Sequence, residues 1–341
     1  MKYMGTRKGI VFAALMLLAG SAQGQSLDLA VKGNGISFGD SRRINGIRFN
    51  FQDRRLEEVN GLNVTIWSPK SPARGVVSGV AVGLPMTGRR LSGISFGVLG
   101  VGAEERVSGI MLGGLGIGAG EDLVGIGIGG LGAGSGGSVR GVMLGGLGVG
   151  SGEDLHGIAM GGLGAGSGGD AIGVLIGGLG IGAGEDLKGI AIGGLGAGAG
   201  NDVVGFLFGG LGVGAGEDLT GIAIGGIGVG AGGTLRGIAI GGVGVGAPTV
   251  RGLLVSGIAA GSEDMVGIAV APAYMRLEAG GTFTGVSVSA YNHMKGRQNG
   301  LSIGILNYAW SLNGIQLGVL NFAGNNRKGL RWLPFVNAHF E

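Results

Sequence analysis

The apolar positions of the chain follow a short repeating unit, and residues 189–204, GIAIGGLGAGAGNDVV, show its pattern. Ile190 and Ile192 are apolar and have a small residue between them, which is the period of two that is typical of a β-strand. After Gly193 and Gly194, apolar residues again alternate with glycine, but in the opposite phase. A straight strand keeps its phase, so the shift predicts a corner or bulge at the glycine pair and two short strands in each unit.

The unit recurs every 16 residues through the middle of the chain. Such internal repeats indicate an architecture in which each unit packs on its neighbours. The regular units begin at Gly109, Gly125, Gly141, Gly157, Gly173, Gly189, Gly205, Gly221 and Gly237, each of which is position 1 of its unit. Looser units of 14 to 18 residues begin at Gly79, Gly93, Gly252, Gly267, Gly285, Gly300 and Gly314.

Position 3 of the unit alternates between a large and a small residue, so that units come in pairs of 32 residues. The large residues include Met111, Met143, Leu175 and Leu207. We expect these four side chains to point outward and to form an apolar face that needs a cover. The cover would be lipid, another copy of the chain or a surface partner.

Position 8 is glycine in the middle units, as at Gly196, and asparagine in the last two, at Asn307 and Asn321. Glycine and asparagine are the residues that best tolerate a left-handed backbone conformation. The sequence therefore predicts a left-handed turn in the middle of each unit.

Two architectures fit the repeat. In a β-solenoid, each unit forms one coil, and in-register stacking gives every coil the same surroundings, which explains the near-identical units. In an antiparallel meander closed into an outer-membrane β-barrel, each unit forms one tilted strand, and the 32-residue pairing reflects two kinds of turn.

The barrel lacks support in residues 109–266, which contain no Trp or Tyr for an aromatic girdle and have apolar or glycine residues on both strand faces. Neighbours that run in opposite directions also have no reason to share one motif. We therefore predict an all-β protein, a β-solenoid or β-roll of 14–18-residue coils with 16 in the central array, and we keep the barrel as the alternative.

The N-terminus has the three parts of a secretory signal peptide. Three basic residues precede an apolar stretch at 10–19, and the small residues Ala22 and Gly24 predict cleavage before Gln25. The predicted organisation is a signal peptide (1–24), an N-terminal β cap (25–78), a Gly-rich repeat array (79–266) and looser repeats with an aromatic cap (267–341).

Charge and motifs argue against several classes of function. The chain has 24 Lys and Arg, three of them in the leader, so 21 remain against 21 Asp and Glu, and electrostatics give no reason to expect nucleic-acid binding. The matches to G-x-G-x-x-G follow from the glycine content, and no G-K-[ST] follows a glycine loop, so no nucleotide is expected. The histidines, at His156, His293 and His339, lack metal-ligand spacing. We expect no cofactor, no catalytic residue and no enzymatic activity.

Acidic residues are confined to the end of each unit, and they form the candidate metal site of the chain. Stacked carboxylates on alternate coils resemble the calcium ladder of Gly/Asp-rich β-rolls. The alternative interpretation is a solubilising, turn-forming edge on an apolar stack, and a partner-binding edge is a third. The candidate calcium ligands are Glu121, Asp122, Glu153, Asp154, Glu185, Asp186, Glu217 and Asp218.

Units such as GIAIGGLGAGAGND resemble the short β-roll repeats in the heads of trimeric autotransporter adhesins. Residues 300–323, GLSIGILNYAWSLNGIQLGVLNFA, resemble Gly-rich bacterial surface-repeat proteins of unknown function that share a G-L-x-I-G-x-x-N pattern. The resemblance implies an exported, non-catalytic protein of the cell surface or outer membrane with a structural or adhesive role. The alternative is an outer-membrane barrel protein.

Overall fold

The structure, a computed structural model, describes residues 26–67 and 73–340. The protein is all-β, with 75% of its residues in strands, and forms a β-solenoid of about 16 turns, which confirms the predicted fold. The predicted signal peptide at 1–24 lies outside the described residues. Contacts divide the chain into two compact units, one up to Gly130 and one from Leu131 onward.

The first unit begins with an antiparallel strand pair and continues as parallel strands. Equivalent glycines pair from one coil to the next, so that Gly35 pairs with Gly46, Gly46 with Gly61, and Gly61 with Gly79. The parallel ladder thus begins well before the first regular repeat. Its strands are β1 (Ser26–Val31), β2 (Asn34–Gly39), β3 (Arg43–Gln52), β4 (Glu58–Trp67), β5 (Val76–Gly113), β6 (Gly116–Ala119) and β7 (Asp122–Gly129).

The second unit alternates longer and shorter strands, followed by one 3₁₀ turn at Lys328–Leu330 and a final strand that pairs antiparallel with the strand before it. Its strands are β8 (Gly132–Ser135), β9 (Val139–Gly145), β10 (Gly148–Ser151), β11 (Leu155–Gly161), β12 (Gly164–Ser167), β13 (Ala171–Gly177), β14 (Gly180–Ala183), β15 (Leu187–Gly193), β16 (Gly196–Ala199), β17 (Val203–Gly209), β18 (Gly212–Ala215), β19 (Leu219–Gly225), β20 (Gly228–Ala231), β21 (Thr234–Gly241), β22 (Gly244–Gly246), β23 (Thr249–Ser256), β24 (Ala259–Ser262), β25 (Asp264–Val270), β26 (Tyr274–Leu277), β27 (Thr282–Val288), β28 (Tyr291–Ala323) and β29 (Trp332–His339).

Each regular coil contains two strands, as the change of phase predicted. In one coil these are β15 and β16, and the chain turns between them at Gly194 and Leu195. Both strands pair in parallel with their equivalents one unit away, so that Gly189 pairs with Gly173 on one side and Gly205 on the other. Parallel pairing of successive coils is the opposite of an antiparallel meander, in which neighbouring units would run in opposite directions.

The left-handed glycine lies at position 1 of the unit, where φ is +127° at Gly189. The prediction that placed it at position 8 was wrong, because Gly196 has no positive φ. Asn307 and Asn321 are buried in the core instead, and the Asn307 amide donates to the Asn321 side-chain oxygen at 2.7 Å. The shorter coils at the C-terminal end shift the count, so asparagine there replaces an inward residue and not a turn glycine.

The core of the second unit is built from positions 3, 9 and 15 of each unit, whose side chains point inward. The prediction that position 3 points outward was wrong, since Met111, Met143, Leu175 and Leu207 are fully buried. Coils with large core residues alternate with coils with small ones, which lets a large side chain spread over its small neighbours. One such pair has Leu175, Ile181 and Leu187 in the first coil and Ala191, Ala197 and Val203 in the second.

Candidate functional site

The carboxylates of the repeat form a hydrogen-bonded ladder at position 14, along the turn of each coil. The side chain of Asp186 accepts a hydrogen bond from the backbone N–H of Asp202 at 3.2 Å, and Asp202 accepts one from Asp218 at 3.0 Å. Asp154 and Asp170 accept in the same way from the next coil, at 3.1 Å each. Each of these carboxylates therefore satisfies a turn amide that no strand pairing reaches.

The partners of Asp186 favour its ionised form. Lys188 donates a hydrogen bond to Asp186 at 2.9 Å, and this bond, followed by the bond from the Asp202 amide, lowers the pKa of the Asp186 carboxyl. A carboxylate that accepts charge-assisted and backbone hydrogen bonds is stabilised as the anion. The ladder is thus charged at neutral pH.

The glutamates at position 13 point away from this ladder. Glu121, Glu153, Glu185 and Glu217 are exposed, while the neighbouring aspartates are half-buried. Across residues 26–67 and 73–340, no group of three or more His, Cys, Asp or Glu side chains is placed to hold a metal ion. Calcium takes six to eight oxygen ligands, whereas the aspartate oxygens of the ladder are occupied by backbone amides. The observed contacts make these residues parts of the turns.

An apolar surface does exist, but at different positions from those predicted. Because position 3 points inward, the apolar residues at positions 2 and 4 point outward on the first strand of each coil. In the second unit the exposed ones include Ile158, Met160, Ile190, Phe208, Ile222, Ile240 and Ile268. In the first unit they include Ile110, Leu112, Ile126 and Ile128.

A further apolar column runs along the corner at position 7. In the second unit its side chains are between 45% and 52% exposed. Backbone hydrogen bonds join neighbouring members, as from the Leu163 N–H to the Leu147 carbonyl at 2.7 Å, so the leucines are held at the spacing of the coils. The column consists of Leu131, Leu147, Leu163, Leu179, Leu195, Leu211, Ile227, Val243 and Ile258. We call the exposed residues of positions 2, 4 and 7 the apolar columns.

The outward positions of the second strand carry no side chain in the regular coils, because positions 8 and 10 are glycine, as at Gly196 and Gly198. Toward the C-terminal end of the second unit the same strand carries aromatic residues. Ala259 pairs with Tyr274, and Tyr274 pairs with Tyr291. The bare strip thus gives way to a row of rings.

These rings form a continuous aromatic column in the C-terminal coils. Centroid distances between successive rings lie between 4.7 and 5.4 Å, which is the range for stacked and edge-to-face pairs. Sequence reasoning treated the histidines as scattered and missed that the fold inserts one of them between tyrosines. The column consists of Tyr274, Tyr291, His293, Tyr308, Phe322 and Trp332.

His293 is the polar member of the column, and its Nδ1 lies 2.9 Å from the Tyr274 hydroxyl. Burial lowers the pKa of His293, and the charges of Lys295 and Arg276 lower it further. Burial also raises the pKa of the Tyr291 hydroxyl. Both shifts favour the neutral side chain, so the column is uncharged at neutral pH.

A groove of about 710 Å³ lies beside this column, and we call it the aromatic groove. Its walls include His293, Tyr308 and the 65% exposed Trp310, together with Lys295 and Arg297. Exposed rings next to cationic groups suit a ligand that has both an apolar face and a negative charge.

Within the described part of the chain, no helix is long and apolar enough to cross a membrane. Comparison with protein-family models, with curated proteins and with solved structures gave no match to this chain.

Proposed function

We propose that this chain is an exported, non-catalytic protein of the bacterial cell surface or envelope, whose solenoid acts as a structural scaffold. The repeat fold supports a structural role, because its coils differ little and no coil stands out as a reaction centre. The observation that carries the proposal is the set of apolar columns. Exposed apolar surface that continues over many coils is typical of an interaction face.

The partner that best fits the columns is a second copy of the chain. The leucines at position 7 repeat at the spacing of parallel strands, about 4.8 Å. Another copy presents side chains at the same spacing, so two columns can pack along their length without losing register. The other candidate cover is lipid, whose acyl chains need no register.

The experiment places charge on the column at position 7 and measures association. The test variant combines Leu147→Lys, Leu179→Lys and Leu211→Lys, all on residues about half exposed. The matched control combines Ile172→Lys, Val204→Lys and Thr220→Lys, in an outward column that already contains Lys188.

Sedimentation velocity without detergent should show oligomers for the natural chain and the control, and monomers for the test variant. Flotation with phosphatidylcholine vesicles forms the second arm. If the chain floats with vesicles and stays monomeric in buffer, the cover is lipid. If it is monomeric and does not float, or if both variants behave alike, the columns are not the working surface.

Export is tested by the mass of the protein recovered from outside the cytoplasm. Cleavage before Gln25 would leave a chain that begins at that residue. Recovery of exported protein that retains Met1 would contradict the proposed leader.

An adhesive role is the second candidate, and the aromatic groove favours it. Rings with adjacent Lys295 and Arg297 suit an acidic sugar, whose ring C–H groups pack on aromatic faces while its carboxylate meets the cations. Oligogalacturonate titrated into the natural chain should quench Trp310 fluorescence. Trp310→Ala should remove the response and Trp332→Ala should keep it; an unchanged response in Trp310→Ala would contradict the assignment.

A further inference from the structure

A second groove, in the first unit, is surrounded by arginine. It encloses about 750 Å³, and we call it the arginine groove. Two glutamates, Glu57 and Glu58, also line it, so the lining has an excess of four positive charges. No lysine contributes to the lining. The arginines are Arg42, Arg43, Arg54, Arg55, Arg74 and Arg89.

Part of this charge is compensated by neighbouring carboxylates. Arg43 donates to Glu57 at 2.9 Å, and Arg89 lies 3.4 Å from Glu105. In contrast, Arg54 and Arg74 are exposed and have no ion pair among the described residues. The groove therefore contains two guanidinium groups that remain available to an anion.

The loop that presents Arg54 and Arg55 is fixed by a buried carboxylate. One oxygen of Asp40 accepts the backbone N–H groups of Arg54 at 3.1 Å and Arg55 at 3.3 Å. The other oxygen of Asp40 accepts from the Arg55 side chain at 3.3 Å. The positions of the two arginines are thus set before any ligand arrives, which lowers the entropic cost of binding.

Asp40 is in turn held by Arg48, which is completely buried in the core of the first unit. Arg48 also pairs with the buried Asp53 and donates to Asn63 at 3.0 Å. Arg48 and Asn63 pair across neighbouring strands, and the next residue in that column is the apolar Ala81. A buried ion pair is a poor source of stability, so its presence in place of an apolar core points to a positioning role.

We propose that the arginine groove is a binding site for a phosphorylated ligand, with Arg54 and Arg74 as its main phosphate contacts. The planar guanidinium fork matches phosphate with two parallel hydrogen bonds, which a lysine ammonium does not. The remaining charge excess favours an oxyanion of charge near −2 over a single carboxylate. The ligand is a soluble phosphate compound or the phosphate headgroup of a lipid.

The test uses the full mature chain and inorganic pyrophosphate as the probe, measured by isothermal titration calorimetry. The variant is Arg54→Gln combined with Arg74→Gln, both exposed, so folding should be preserved and is checked by thermal melting. Arg140→Gln combined with Arg251→Gln makes the same charge change at exposed residues of the second unit.

We expect pyrophosphate to bind the natural chain and the control equally, and at least about tenfold more weakly to the groove variant, since two charge-assisted contacts are lost. A second arm measures flotation with phosphatidylcholine vesicles that contain phosphatidic acid. Binding in both arms identifies a lipid headgroup, and binding of pyrophosphate alone identifies a soluble phosphate. Absence of binding to the natural chain in both arms, or equal weakening in the two variants, would overturn the proposal.

Discussion

A Cβ atom added at Gly189 would lie 2.1 Å from the carbonyl oxygen of Gly173 in the preceding coil. The backbone of Gly189 also has φ of +127°, which residues with a side chain rarely adopt. Both constraints recur at position 1 of the neighbouring coils. The stacking of the coils therefore requires glycine here for a steric reason, and not merely for flexibility.

Substitution of this glycine should damage the fold far more than substitution of a position-8 glycine. We expect Gly189→Ala to lower the free energy of unfolding by about 2–4 kcal/mol, through backbone strain and the carbonyl contact. In Gly196→Ala the new Cβ would meet its nearest atom at 3.5 Å, so the change should stay within about 1 kcal/mol. Thermal melting by far-UV circular dichroism provides the comparison, and similar melting temperatures would contradict the assigned register.

The aspartate ladder should respond to loss of its acceptor and not to loss of its charge. Asp202→Ala removes the oxygen that accepts the Asp218 amide and should cost about 1 kcal/mol, whereas Asp202→Asn keeps a side-chain oxygen in place. Hydrogen exchange of the Asp218 amide measures this directly. Exchange should accelerate in the alanine variant alone; faster exchange in the asparagine variant as well would show that charge is what matters.

The lowered pKa of Asp186 has a defined consequence for acid stability. Its ordinary value is 3.8, and its folded value lies below that because of Lys188 and the Asp202 amide. The carboxylate therefore favours the folded state above about pH 4, and this contribution is lost as the pH falls through the lowered pKa. Carboxyl ¹³C titration should show the pKa of Asp186 moving up toward 3.8 in Lys188→Met. Arg236→Met, which removes a cation from the more distant Asp218, should leave it unchanged.

Much of the fold is predictable from the sequence because spacing carries the information. The 16-residue period sets the coil, and the change of phase at Gly193 and Gly194 sets its corner. The inward face could not be assigned in the same way. Isoleucine at positions 2 and 4 and leucine at position 3 are all apolar, so the alternation does not tell which side is buried, and a shift by one residue reverses every side chain.

The sites were harder to predict because they depend on residues that only stacking brings together. Tyr274, Tyr291 and His293 come from successive coils, and no motif links them along the chain. The arginine groove likewise combines residues from Arg42 to Arg89. The 32-residue alternation was visible in the sequence, but its cause, large core residues such as Leu175 beside small ones such as Ala191, required the fold.

The account rests on one 16-residue unit forming one coil in a parallel stack, and excision of residues 189–204 tests this most directly. The deletion brings residues 173–188 against 205–220, whose glycines and inward positions match. Stacking should re-form, with a modest loss because Leu175 and Leu207 become neighbours. Excision of residues 189–220 restores the large and small alternation, and excision of residues 189–196 alone breaks the register.

Far-UV circular dichroism and protease resistance of the three deletion variants give the answer. The account predicts that the 16- and 32-residue deletions both fold, that the 32-residue deletion melts at the higher temperature of the two, and that the eight-residue deletion misfolds. A 16-residue deletion that misfolds beside a 32-residue deletion that folds would contradict the parallel coil and show that successive units run in opposite directions.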